Sequence, residues 1–287
     1  MFWEQVFSGL VIGGFYALIA LGFVLVYKAT EVLNFAQGDL MMLGPFLAVT
    51  LITLKVPFLL ALVLSVLLMG LLGLIIERSF LRTMVGQPLF SVVLATLAIS
   101  IIIRSIAGIC WGHELRGFPH IFSNIPFKVG GVAVSPSQIW AVAISLGLVV
   151  FFYLFFQYTT VGISFRAASQ NQLGSVYCGI SVKRVFTMSW VLAGAVGAVG
   201  GILIAPTSML QVEMGYMALN AFPAAILGGM ESVPGAIVGG VILGVLQTLA
   251  GAYMADWIKK IFPWVILILI LLIKPEGIFG VHKRKKV

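Results

Sequence analysis

Residues 6–27 read VFSGLVIGGFYALIALGFVLVY, a run without a single charged side chain. A bilayer core about 30 Å thick is crossed by a helix of about 20 apolar residues, so this run has span length. The interspersed Gly9, Gly13, Gly14 and Gly22 fit a helix in lipid, where small residues let neighbouring backbones approach closely. No Lys or Arg precedes the run and it is long for a signal peptide, so the reading keeps it as a first membrane helix.

Working outward, comparable runs cover 58–76, 89–111, 138–156, 185–205 and 234–254. Shorter or interrupted ones cover 40–54, 218–229 and 257–273. The expectation is therefore an all-α, polytopic bundle of eight or nine membrane segments, some discontinuous, forming one transmembrane domain over 1–287. Composition agrees: 61% of the 287 residues are hydrophobic and only 9% are charged. Mean hydropathy is +1.15. Soluble chains carry about 25% charged residues.

The formal net charge of +8 is spread singly between apolar runs, except for Lys283 to Lys286 at the C-terminus. That distribution is a topology signal, with contact to anionic lipid as a compatible role for the tail, and it does not point to nucleic acid. With the tail in the cytoplasm, Lys28, Arg78 to Arg82 and the loop 157–184 fall on the same side. Residues 112–137 fall outside. Nine segments put the N-terminus outside; treating 218–229 as re-entrant reverses that. Cys110 and Cys178 are placed on opposite faces, so no disulfide is expected. The Gly- and Pro-rich external loop predicts turns and a short interfacial hairpin.

Enzymatic chemistry finds little support. The three histidines, His113, His120 and His282, show no metal-ligand spacing, no phosphate-binding Gly-rich loop is followed by Lys-Ser/Thr, and the nine acidic residues are single. No catalytic residue, metal or cofactor is expected.

Three constellations stand out. Asn34-Phe35-Ala36-Gln37-Gly38-Asp39 is a polar insertion after the first span. It is either an ordinary turn or a helix break at Gly38 whose Asn34 and Gln37 line a water-filled path. Asn220, with Gly228, Gly229, Pro234 and Gly235 after it, surrounds a half-length apolar piece. It is either a tight helix corner or a discontinuous helix at a substrate passage. The third is the loop 157–184, where Phe165, Ser169, Leu173, Val176 and Ile180 recur at helical spacing. Such a helix docks on a partner protein or lies on the membrane surface. A faint internal echo lays 34–44 on 218–228, which under nine segments makes an inverted repeat.

These residues resemble the branched-chain amino-acid permease family of ATP-driven importers. Gly9 to Tyr27 followed by Asn34-Phe35-Ala36-Gln37-Gly38-Asp39 resembles its first helix and Asn-Phe-Ala-His/Gln-Gly-Glu/Asp signature. Gly162, Arg166-Ala167, Gly179-Ile180 and Arg184 resemble its ATPase-contacting loop, and 225–244 its Leu-Gly-Gly, Pro-Gly and Gly-Gly stretch. Glu77-Arg78 adds a smaller match. The resemblance implies a non-catalytic permease subunit of the cell inner membrane, paired with a homologous second permease subunit. Two cytoplasmic ATPase subunits and an external amino-acid-binding protein complete the implied machine. A sugar or urea permease of the same architecture, or more distantly a self-contained channel or secondary transporter, remains open from the residues alone.

Overall fold

The computed structural model describes residues 2–119, 127–129, 132–254 and 256–280. Twelve α-helices follow in order: α1 Phe2–Thr30, α2 Gln37–Thr53, α3 Phe58–Ser79, α4 Leu89–Trp111, α5 Pro136–Tyr158, α6 Thr160–Gln170, α7 Gln172–Tyr177, α8 Val182–Ser208, α9 Met214–Leu219, α10 Phe222–Gly228, α11 Val233–Tyr253 and α12 Asp256–Ile273. The expected hairpin is present between α4 and α5, with β1 Phe127–Val129 paired antiparallel to β2 Val132–Val134. His120, Phe122, Pro126, Gly130, Gly131 and the Lys283 to Lys286 tail lie outside the described residues.

Among the described residues six helices are long and apolar enough to cross a membrane: those starting at Phe2, Phe58, Leu89, Gln138, Val182 and Val233. The expected eight or nine segments therefore divide into six long helices and three others that fall short by length or charge. The α2 helix has 17 residues, and the piece expected at 218–229 extends back to Met214 as two short helices broken at Asn220–Ala221. The α12 helix begins with Asp256, Lys259 and Lys260, which dilute its apolar window. Polar residues and helix breaks, not a lack of apolar chain, shorten these three.

Local sequence chemistry sets the boundaries. Pro57 and Pro88 immediately precede α3 and α4, where a missing N–H costs nothing. Ser135 and Gln138 form a capping box at α5, and Thr159, Asn171 and Ser232 cap α6, α7 and α11 by accepting from the N–H groups of Gly162, Gly174 and Gly235. Both α1 and α8 end in a non-glycine residue in the left-handed region, Glu31 at φ 58° and Met209 at φ 56°. From each, a short irregular segment leads to a half-length helix.

The α1 helix is the centre of the bundle, buried continuously from Gly13 to Val26. Two close helix pairs flank it, α1 on α11 and α3 on α8. Each is zipped by small residues. A Cβ on Gly240 would strike the backbone of Ala17, one on Gly244 that of Gly13, one on Gly73 the carbonyl of Trp190, and one on Gly194 the carbonyl of Met69. Backbones this close gain dispersion contacts and lose little side-chain entropy, which is how helices associate where lipid removes the hydrophobic drive. Exchanging α1 with α8 and α3 with α11 maps one pair onto the other, the relation the internal echo implies. Outward faces of α3, α4 and α5 expose Leu59, Leu67, Ile109, Leu146 and Val150, a surface suited to acyl chains.

Candidate functional site

The two broken segments meet. Gly38, in the first turn of α2, and Gly215, in α9, press together so closely that a Cβ on Gly38 would strike the Gly215 carbonyl and one on Gly215 would strike the Asp39 carboxylate. This contact seats α9 on α2 and fixes Asp39 beneath it. Asp39 is almost fully buried and accepts from Arg104 of α4 through Oδ1, at 3.1 Å from Nε and 2.9 Å from Nη2. Its Oδ2 accepts from the Ser100 hydroxyl. The Arg104 guanidinium lies 3.6 Å from the centre of the Tyr216 ring.

Position gives this cluster its significance. Arg104 sits seven residues before the end of α4, about 10 Å into the span at 1.5 Å per residue. Its side chain is 20% exposed and Tyr216 is 56% exposed. A cationic side chain facing lipid at such depth costs about 2.5 to 3.5 kcal/mol even on insertion scales. The face bearing Arg104, Tyr216 and the exposed Met217 therefore belongs against water or another protein rather than acyl chains. Sequence reading singled out Asp39 within its motif but missed Arg104; a lone Arg inside an otherwise apolar 89–111 run was the signal available.

Asn34 and Gln37 are fully buried. Asn34 donates to Gln37 Oε1 at 3.3 Å and its Oδ1 accepts from the Ala36 N–H at 3.0 Å, while Gln37 Nε2 donates to the Ala193 carbonyl of α8 at 3.0 Å. The Gln37 amide fills the space left by Gly22 and Gly197. Asn34 thereby satisfies a backbone N–H at the break, and Gln37 braces α2 against α8. Asn220 is partly exposed at the α9–α10 break, next to Phe222, which packs edge-on to Phe23 at 5.6 Å and against Phe35 at 6.0 Å.

The later glycines divide by cause. Gly229 adopts φ +106° and is the conformational break. Gly228 and Gly235 instead permit close contact of the two flanking helices, and Pro234 lies in the first turn of α11, where no donor is required. Gly38 likewise serves a contact inside α2 rather than a break.

The loop 157–184 forms two helices, not one, because Asn171 is extended and caps α7. The expected stripe is split accordingly: Phe165 is buried against Phe156 at 5.3 Å, whereas Leu173 and Val176 are exposed beside an almost bare Tyr177. Gly179 has φ +80°, as expected of a sharp turn, but Gly162 is needed for space, since a Cβ there would meet the Phe156 backbone. Arg166 donates to Gln157 Oε1 and to the Gln157 carbonyl, at 3.2 and 3.0 Å, tying α6 back to α5. Ile180 and Arg184 border one groove with Phe165, while Ala167 accepts from the Asn171 N–H at the end of α6. Glu77 pairs with Arg82 at 3.0 Å, not with its neighbour Arg78, and accepts from Thr187 of α8 at 3.0 Å. Among the described residues no group of three His, Cys, Asp or Glu is placed to hold a metal.

The chain has relatives among known proteins. The family described as branched-chain amino acid transport system / permease component matches residues 5–271. The chain is 29% identical over 304 residues to the high-affinity branched-chain amino acid transport system permease protein LivH of Salmonella typhimurium, covering 100% of this chain and 98% of that one. It is 28% identical over 299 residues to the corresponding protein BraD of Pseudomonas aeruginosa, covering 99% and 97%. A probable branched-chain amino acid transport permease LivH of Methanocaldococcus jannaschii is 30% identical over 288 residues, covering 93% and 89%. No solved structure matches. With all but its two ends inside the family match, the chain belongs to the branched-chain amino acid transport system permease family.

Proposed function

We propose that this chain is the membrane subunit of an ATP-driven importer for branched-chain amino acids, set in the cell inner membrane. The full-length likeness to permeases named for that substrate carries the reading. The chain catalyses nothing itself. It pairs with a homologous permease subunit, receives substrate from an external binding protein, and is driven by two cytoplasmic ATPases. In this reading the two broken segments complete nine crossings with the N-terminus outside. The translocation path runs along the face of Arg104, Tyr216 and Asn220, with Asn34 and Gln37 bracing the break behind it.

Coupling would fall to 157–184. The exposed Leu173, Val176 and Tyr177 give α7 an apolar face that no described residue covers, of the kind that seats in a groove on another protein. Gly162 and Arg166 hold α6 against α5, Ala167 ties the end of α6 to Asn171 at the start of α7, and Gly179, Ile180 and Arg184 connect α7 to α8, so a push on α7 reaches two membrane helices. The decisive experiment is uptake into proteoliposomes holding the complete complex, with labelled leucine, xylose and urea offered in parallel. ATP-dependent accumulation of leucine alone is expected. Accumulation of xylose or urea with no leucine uptake would overturn the substrate reading.

A further inference from the structure

We propose that Arg104, held by Asp39 and faced by Tyr216, is the point in the path that recognises the carboxylate of a passing amino acid. The inference rests on the proposed importer function and adds a recognition site to it. Three observations carry it.

First, Asp39 is buried with both oxygens engaged, so the group left available to a solute is Arg104. Both Arg104 contacts fall on one carboxylate oxygen, Oδ1, and Ser100 occupies the other. Among the described residues Nη1 of Arg104 meets no acceptor, so one edge of the fork remains free for an anion. Second, the free edge is oriented. Tyr216 covers the guanidinium face at 3.6 Å and is itself more than half exposed, so the charge is presented at an open surface rather than sealed in the core. Third, the electrostatics suit a zwitterion. An amino acid brings its carboxylate to the free guanidinium edge together with its own ammonium, so the net charge of the occupied site stays zero. A sugar or urea offers that edge only dipoles. Apolar Met217 and Ile101 expose their side chains on the same two helices, so an aliphatic side chain can travel beside the charged groups.

The test uses leucine uptake by the complete complex in proteoliposomes, at saturating leucine-loaded binding protein. Arg104→Gln and Asp39→Asn are each expected to lower uptake at least about tenfold. Single changes also orphan a buried charge, so the informative variant is Asp39→Asn/Arg104→Gln. Removing both charges relieves the orphan, and the double variant is expected to assemble with the ATPases as the parent does while uptake stays low. Recovery of uptake to within about twofold of the parent would mean that the pair is only a structural brace, and would overturn the proposal. If the charge variants fail to assemble, Tyr216→Ala decides, because its side chain is already half exposed: a several-fold loss of uptake is expected, and unchanged uptake overturns the proposal. Failure of the parent complex to take up leucine at all would instead strike the importer reading, and this inference with it.

Discussion

Gly228 and Gly235 face each other across the α10–α11 corner so closely that a Cβ on either would collide with the carbonyl oxygen of the other. The contact is between backbones, so no rotamer change can relieve it. Gly228→Ala or Gly235→Ala is expected to destabilise the purified protein by about 1 to 3 kcal/mol. Gly147→Ala is the control: that glycine lies in α5 with nothing near its missing Cβ, and alanine should be neutral or stabilising by up to about 1 kcal/mol. Thermal unfolding in detergent distinguishes them.

Glu77 is buried and depends on Arg82, which is about one-third exposed. Arg82→Ala should destabilise by about 1 to 3 kcal/mol, less than for a fully buried pair because water screens the arginine. Arg78→Ala should cost under about 0.5 kcal/mol. Equal effects of the two would contradict the observed pairing.

Gln37→Leu removes the hydrogen bond to the Ala193 carbonyl and leaves the Asn34 amide without its partner. A loss of about 1 to 3 kcal/mol is expected, together with faster proteolysis near the break at 31–36. If Gln37→Leu leaves stability intact but slows uptake, Gln37 faces the path after all.

Sidedness is testable with one engineered and one native thiol. In a Cys110→Ser background, Leu115→Cys should react with an impermeant maleimide added outside, while exposed Cys178 should react only when the reagent reaches the cytoplasmic face. Reaction of both from one side rejects the nine-crossing topology.

Leu173→Asp on α7 should release the ATPases during purification without changing the thermal stability of the permease, because that side chain touches little of its own chain. Arg166→Glu should do the opposite and loosen α6 from α5, since Arg166 donates to Gln157 rather than pointing outward. Co-purification read beside a melting curve separates the two roles.

Membrane character, the six long helices and the helical loop near 157–184 were legible in the chain itself, because hydrophobic length, charge spacing and capping residues are local properties that act wherever the segment lies. The polar residues 34–39 also marked an interruption between two apolar runs, leaving turn and helix break open. What the sequence could not decide was partnership at a distance. Asp39 meets Arg104 from 65 positions away and Gln37 reaches across to Ala193, 156 positions on. Those contacts exist only because Gly22, Gly38, Gly197 and Gly215 let backbones close to the point where particular polar atoms coincide. Local pattern determines which face of a helix is apolar and how far it runs. Which buried charge it meets depends on the depth and angle at which helices dock, and that is set by the three-dimensional packing of the whole bundle.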